Sequence, residues 1–389
     1  MIDRHHQGIV PPKPHSEARR PDGGLYYEEL HTRDGFDGAF TYFYHREPAP
    51  TSSRVRASER GFLAPRRDPD ACEPLQRRLY DSNRVSRGSM LCYERTPIFF
   101  NEHSTIWLAR PSATDDVYFA NSDGDELWFV QQGTARLESN CGFLPIATGD
   151  YVFLPRAMPH RWHVTAPELR LLGIEGRAGF KIPDAYRNGV GQLRMDAPYT
   201  HRDFVRPEGP IAHPDRLPEG PSSLLVKRGE CFSLHEFAGP LMDVVGWDGF
   251  VYPFAFAIEK FQPKTGAFHL PPTVHCAFAG SGLAVGSFVP RVLDYGPGAI
   301  PCPYPHSSVD CDELILYVRG DFTSRRGVGE GTISFHPSGI THGPHPGAYE
   351  ASIGRARTDE VAVMIDVFGR VHATPQAANL EVAGYHASW

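Results

Sequence analysis

Short apolar runs separated by turn residues set the pattern of the chain. They include Ile106-Trp-Leu108, Leu127-Trp-Phe-Val130, Tyr151-Val-Phe-Leu154, Leu224-Leu-Val226 and Leu314-Ile-Leu-Tyr-Val318. Runs this short, rich in aromatic and branched side chains and closed by Gly or Pro, predict buried strands rather than helices. Arg319-Gly-Asp321 closes one such strand, and Thr332-Ile-Ser-Phe335 reads as the next. Helical signals are sparse, and Glu73-Pro-Leu-Gln-Arg-Arg-Leu-Tyr80 is one of the few plausible helices.

The same pattern divides the chain. Residues 1–60 are rich in Pro, Gly, His and charge and predict an extended arm laid over the body. Residues 61–222 hold one β-rich half ending in a polar, Pro-rich connection from about residue 185, and residues 223–389 hold a second. At 389 residues the chain exceeds the usual span of a single core, so a two-lobed β structure is the natural expectation.

Composition agrees with many short strands joined by turns: 38 Gly, 36 Pro and 12% aromatics. A net charge of -7 gives no footprint for nucleic acid. No apolar run is long enough to cross a membrane, and the first residues carry no secretory pattern, so a soluble, cytoplasmic protein is expected. The 7 cysteines are scattered without a Cys-x-x-Cys pair, which argues against a disulfide framework or zinc ribbon. Cys302 and Cys311 flank His306 but read as ordinary thiols, since thiolates beside an oxygen-activating metal invite oxidation.

The chemistry concentrates in Tyr304-Pro-His-Ser-Ser-Val-Asp-Cys-Asp-Glu313 and Gly331-Thr-Ile-Ser-Phe-His-Pro-Ser-Gly-Ile-Thr-His342. His306, Glu313 and His342 form a candidate set of two histidines and one carboxylate, which suits Fe(II) and leaves positions open for oxygen and a substrate. Structural zinc sites usually close four ligands, often cysteines. Between His306 and Glu313 a turn is needed, because a fully extended stretch would separate their side chains by about 23 Å. Ser307, Ser308, Asp310 and Asp312 supply the turn chemistry. The spacing of Glu313, Gly320, Gly331, Pro337 and His342 resembles the two half-motifs of metal-binding cupin barrels.

A weaker copy sits upstream. Glu126 and Gly133 parallel Glu313 and Gly320, while Gly149, Pro155 and His160 parallel Gly331, Pro337 and His342. Phe119 stands where the second copy has His306, so the first metal set is broken and that unit is expected to be structural. The fold expected is therefore mainly β, a bicupin or double-stranded β-helix (jelly roll) with one metal centre.

Beyond the half-motifs, the chain resembles the homogentisate 1,2-dioxygenase family over most of its length. The resemblance runs through Asn121-Ser-Asp-Gly-Asp125, Val244-Val-Gly-Trp-Asp-Gly-Phe-Val-Tyr-Pro253, Gly286-Ser-Phe-Val-Pro-Arg291, the stretch from His306 to Glu313, Arg319-Gly320 and Thr341-His-Gly-Pro344. It implies Fe(II) on His306, Glu313 and His342, with His336 a further histidine beside the metal and His269 an acid/base on the substrate hydroxyl. It also implies substrate contacts from Arg325, Phe322 and His342. The interval from His306 to Glu313 is one residue longer than the family often has. Phe322 replaces a frequent tyrosine near the substrate carboxylate, and Arg325 a frequent lysine. A residue-level reading leaves His269 or His336 open as the acid/base, either being suited to proton transfer near neutral pH.

The implied partners are a small aromatic substrate and O2, and the arm and the resemblance together suggest a homo-oligomer. Three alternatives stay open at this level: another hydroquinone or hydroxylated aromatic acid such as gentisate, a metal-binding cupin without oxygenase activity, and Mn(II) in place of Fe(II).

Overall fold

A computed structural model describes residues 2–48, 52–67, 74–212, 218, 220–322 and 324–389. An eight-stranded sheet places Asp125–Gln132 between Asp150–Leu154 and Arg170–Gly176, continued by Ser104–Ala109 and Thr96–Phe100. Facing it, a seven-stranded sheet contains Ala135–Ser139, His160–Val164, Tyr118–Asn121 and Ser222–Arg228. A second seven-stranded sheet carries Cys276–Gly280, Leu283–Phe288, Val361–Phe368, Cys311–Arg319, Thr332–His336 and Arg78–Asp81.

Alternation along the strands explains how these layers stack, because successive side chains point to opposite faces. From Cys311–Arg319, Leu314 and Leu316 enter the largest core cluster, where they meet Leu127 and Phe129 of Asp125–Gln132. The opposite face of the same strand sends Ile315 and Tyr317 into a smaller cluster with Phe322, Ala362 and Met364. The opposite face of Asp125–Gln132 sends Trp128 and Val130 into a separate cluster with Phe119, Leu137 and Trp162. The two large sheets are thus packed back to back, and each has its own barrel interior on the far side. This is a β-rich cupin architecture.

Strand exchange ties the halves together. Phe254–Ala257 pairs with Asp150–Leu154, and His372–Ala373 pairs with Thr96–Phe100. The N-terminal arm is built into sheets: His5–Gly8, Tyr27–Thr32 and Phe40–His45 join Val244–Gly249 in a four-stranded sheet, and Arg54–Ala57 edges the first seven-stranded one.

The helix expected over residues 73–80 does not form. Glu73 lies outside the described residues, residues 74–77 are irregular, and Arg78–Asp81 is a strand paired with Thr332–His336. Local helix preference is worth a few tenths of a kcal/mol per residue, and burial of Leu79 and Tyr80 in the sheet outweighs it. Among the described residues no helix is long and apolar enough to cross a membrane, and Cys92, Cys141, Cys231, Cys276, Cys302 and Cys311 are all free.

Candidate metal centre

The strand Cys311–Arg319 presents Glu313 on the face that Ile315 and Tyr317 share, inside the second barrel. His306 and His342 come from the loops that close this barrel. Their main chains form an antiparallel bridge in which each N–H donates to the other's carbonyl at 2.8 Å. One ligand-capable atom from each of His306, Glu313 and His342 lies within 4.8 Å of the others. No other such group occurs among the described residues.

Each histidine is oriented by its second nitrogen. Nδ1 of His306 donates to the Tyr304 carbonyl at 3.0 Å, and Nδ1 of His342 donates to the Ile340 carbonyl at 2.9 Å. Both Nε2 atoms are thereby left as bare acceptors, the form a metal requires. Nε2 of His342 is buried without a hydrogen-bond partner and stands 3.7 Å from Glu313 Oε1. Leaving a buried acceptor unpaired costs about 1–3 kcal/mol, and a cation between these groups removes that cost. The donor set fits a divalent metal.

His336 ends the strand Thr332–His336 directly opposite Glu313 in the ladder. Its Nδ1–H donates to Glu313 Oε1 at 2.6 Å, and its ring stacks on His342 with centroids 4.6 Å apart. Burial pushes the Glu313 carboxyl up, but the His336 hydrogen bond and the charges of His336, His342 and Arg325 outweigh it, leaving the group at about 2. Burial also pulls His336 down to about 4, against the pull of Glu313. His336 is therefore a neutral donor that fixes the carboxylate. It stands behind the cavity wall.

A cavity of about 110 Å³ opens in front of the trio. His306 and Glu313 line it, and so do His269, Phe322 and Arg325. His269 sits edge-on to Tyr304 at 5.1 Å, and its Nδ1 is 3.4 Å from Asp294 Oδ2. Phe322 packs edge-on against Tyr317 at 4.8 Å. The Arg325 guanidinium donates to the Gly343 carbonyl and lies 5.9 Å from the Trp389 ring, while its Nε is buried and unpaired. His345 is buried, with its ring stacked on Trp389 at 3.9 Å.

In the first barrel an arginine stands beside the corresponding carboxylate. Phe119 pairs across the sheet with His160, as His306 pairs with His342, and Glu126 occupies the place of Glu313. Arg95, with a fully buried side chain, donates to Glu126 Oε1 at 2.6 Å and lies 4.5 Å from the Phe119 ring and 4.9 Å from Trp128. Burial pulls His160 down to about 4. A guanidinium thus neutralises the carboxylate inside that barrel. Arg95 is far from Glu126 in sequence, and no local spacing announces it. The second barrel likewise adds Tyr304, His275 and Trp389 to the neighbourhood of the site.

Sequence comparison relates the chain to known proteins. A family model described as Homogentisate 1,2-dioxygenase N-terminal matches residues 103–258. A protein of Saccharolobus solfataricus, whose description as a dioxygenase is provisional and names no substrate, is 32% identical over 100% of this chain and 99% of its own length. Homogentisate 1,2-dioxygenase of Oryza sativa is 28% identical over 65% of this chain, and the match spans 54% of that relative. Among solved structures, a cupin 2 conserved barrel domain protein from Leptotrichia buccalis aligns with 75% of this chain and 96% of its own at 11% identity and a TM-score of 0.33. The chain belongs to the homogentisate dioxygenase family.

Proposed function

We propose that this chain is an Fe(II)-dependent ring-cleaving dioxygenase of the extradiol type, acting in the cytoplasm as a homo-oligomer on homogentisate and O2 to give maleylacetoacetate. The observation that carries this reading is the meeting of His306, Glu313 and His342, with His306 and Glu313 lining a cavity whose surface is otherwise largely apolar. These three residues would hold the metal. The first barrel, with Arg95 in place of an ion, serves as scaffold.

Fe(II) held by His306, Glu313 and His342 would supply a place for O2 beside a ring hydroxyl and a path for electrons from the ring to oxygen. The remaining work falls to the side chains. His269 accepts the proton of the ring hydroxyl, raising the ring's donor power, and the Asp294 carboxylate, 3.4 Å from its Nδ1, favours the charge that results. His336 keeps Glu313 oriented and ionised. Ile315, Phe322 and Met364 pack the ring and exclude water. Arg325 offers its planar fork to the acetate group once it turns from Gly343. On this reading the bond broken would be the one between the hydroxylated carbon and its neighbour bearing the acetate, with both atoms of O2 retained in the product.

A second reading, another hydroquinone or hydroxylated aromatic acid such as gentisate, is favoured by one feature: Phe322 lines the cavity without a hydroxyl, which changes which acid side chain the wall satisfies. Oxygen uptake by the iron-loaded protein with homogentisate tests the main reading. Rapid stoichiometric uptake is expected, and uptake with gentisate alone would shift the assignment to the second.

A further inference from the structure

The same cavity holds a histidine that the mechanism above does not use. His275 ends the short turn Pro272–His275 and leads into the strand Cys276–Gly280, so the backbone fixes it between a loop and a sheet. It is 7% exposed and lines the cavity that His306 and Glu313 also line, and the strand it leads into stands three places across the sheet from Cys311–Arg319. Its Nδ1 is buried without a hydrogen-bond partner, and among the described residues no side chain or carbonyl pairs with the ring. Its contact is apolar: the Phe288 ring lies 4.5 Å away, tilted by 37°.

The charged neighbour offers no remedy. Arg291 is held by Glu360 at 2.8 Å, and a guanidinium has no acceptor to give. Burial, with Arg291 and His269 nearby, pulls the imidazole down to about 3. His275 is therefore neutral, with one donor and one acceptor. A neutral imidazole among apolar groups complements a hydroxyl, which also gives and takes one hydrogen bond. It is a poor match for a carboxylate, which needs a cation.

We propose that His275 is a specificity residue that hydrogen-bonds the ring hydroxyl lying away from the His306–Glu313–His342 group. The inference rests on the ring-diol reading of the cavity and adds the recognition of the second hydroxyl. It explains why an unpaired polar side chain is kept in this wall: substrate completes it.

The test is anaerobic calorimetric binding to the Fe(II)-loaded protein, comparing homogentisate with 2-hydroxyphenylacetate, which lacks the distal hydroxyl. Wild type should bind homogentisate the more tightly. His275→Phe should weaken homogentisate by about 10- to 100-fold and leave 2-hydroxyphenylacetate within about threefold, closing the gap. His275→Gln, which keeps a donor and an acceptor, should restore most of the preference. Equal losses for both ligands, no loss for either, or loss of iron from the variants would overturn the proposal, because a packing or metal-supporting role predicts those results. If His275→Phe fails to fold, His275→Ala is read against the same outcomes. Should wild type bind neither compound and take up no oxygen with homogentisate, the ring-diol reading fails and this inference with it. Oxygen uptake by wild type with an unaltered preference in His275→Phe would overturn the inference alone.

Discussion

His306 and His342 are joined by a reciprocal pair of backbone hydrogen bonds at 2.8 Å, which brings their rings to 4.4 Å between centroids. The geometry of two candidate ligands is thus set by main chain, and only then refined by the carbonyls on each Nδ1. Gly343 makes the close approach possible. Its φ is +148°, and a Cβ there would come within 2.8 Å of Pro305 Cα. Gly343→Ala should therefore part the bridge and lower iron affinity at least tenfold while costing about 1–3 kcal/mol of fold stability. Iron titration beside a urea melt measures both, and unchanged affinity would show that the bridge does not set the site.

Removing any of the three candidate ligands should abolish stable metal binding while the core persists, since Leu314, Leu316 and their partners lie on the other face of the sheet. Glu313→Ala, His306→Ala and His342→Ala are each expected to lose most bound iron and nearly all turnover. Metal analysis by emission spectroscopy on the purified variants decides this. Full occupancy in one would remove that residue from the set.

In the first barrel the expectation is reversed. His160→Ala should leave iron content and activity unchanged, because Arg95 already balances Glu126. Arg95→Ala should destabilise the fold by about 3–5 kcal/mol by leaving a buried carboxylate unpaired. The pair Arg95→Leu with Glu126→Leu should recover much of that loss. Chemical denaturation of the three variants gives the comparison, and a stable Arg95→Ala protein would mean that water or metal replaces the guanidinium.

What was legible from sequence followed local patterns. Short continuous apolar runs marked Leu127-Trp-Phe-Val130 and Leu314-Ile-Leu-Tyr-Val318 as strands, and the repeated Glu, Gly, Pro and His spacing pointed to two related β units. These signals are short-range, so one sequence carries them. Arg95 on Glu126, Trp389 on His345 and the strand at Arg78–Asp81 depend on partners distant in the chain. Their local context points elsewhere: Pro74 followed by long side chains reads as a helix start, and an isolated arginine reads as surface. The family resemblance singled out His336, but its hydrogen bond to Glu313 needed the register between two strands.

The N-terminal sheet carries a pH-dependent contact far from the site. His45 is buried between Asp243 at 2.6 Å and Glu29 at 2.9 Å. Burial disfavours its charge, but hydrogen bonds to both carboxylates outweigh it and hold the imidazole at about 9. A raised folded value means that the stabilisation is fully present below the ordinary histidine range near 6.5 and is lost as pH rises through about 9. Wild type should lose stability across that window, and His45→Gln should be less stable at neutral pH with a flatter profile. Urea midpoints from pH 6 to 10 measure the slope. Parallel profiles would assign the pH dependence elsewhere.

Arg325 bears on the substrate itself. Its guanidinium is committed to the Gly343 carbonyl and lies near Trp389, yet it lines the cavity and keeps an unpaired buried Nε. If it turns to meet an acetate group, Arg325→Met should raise KM for homogentisate and cost roughly 1.5 to 3 kcal/mol, the scale of a charge-assisted hydrogen bond. Methylhydroquinone, which has no carboxylate, should be nearly unaffected. Phe322→Tyr should act in the opposite sense, adding a hydroxyl to the same wall and improving homogentisate relative to the uncharged ring. Measuring kcat/KM for both compounds on wild type and the two variants separates the cases. A wild type that prefers methylhydroquinone, together with an Arg325→Met protein indistinguishable from it, would leave Arg325 as a clamp on the loop that carries His342 and make homogentisate the wrong substrate.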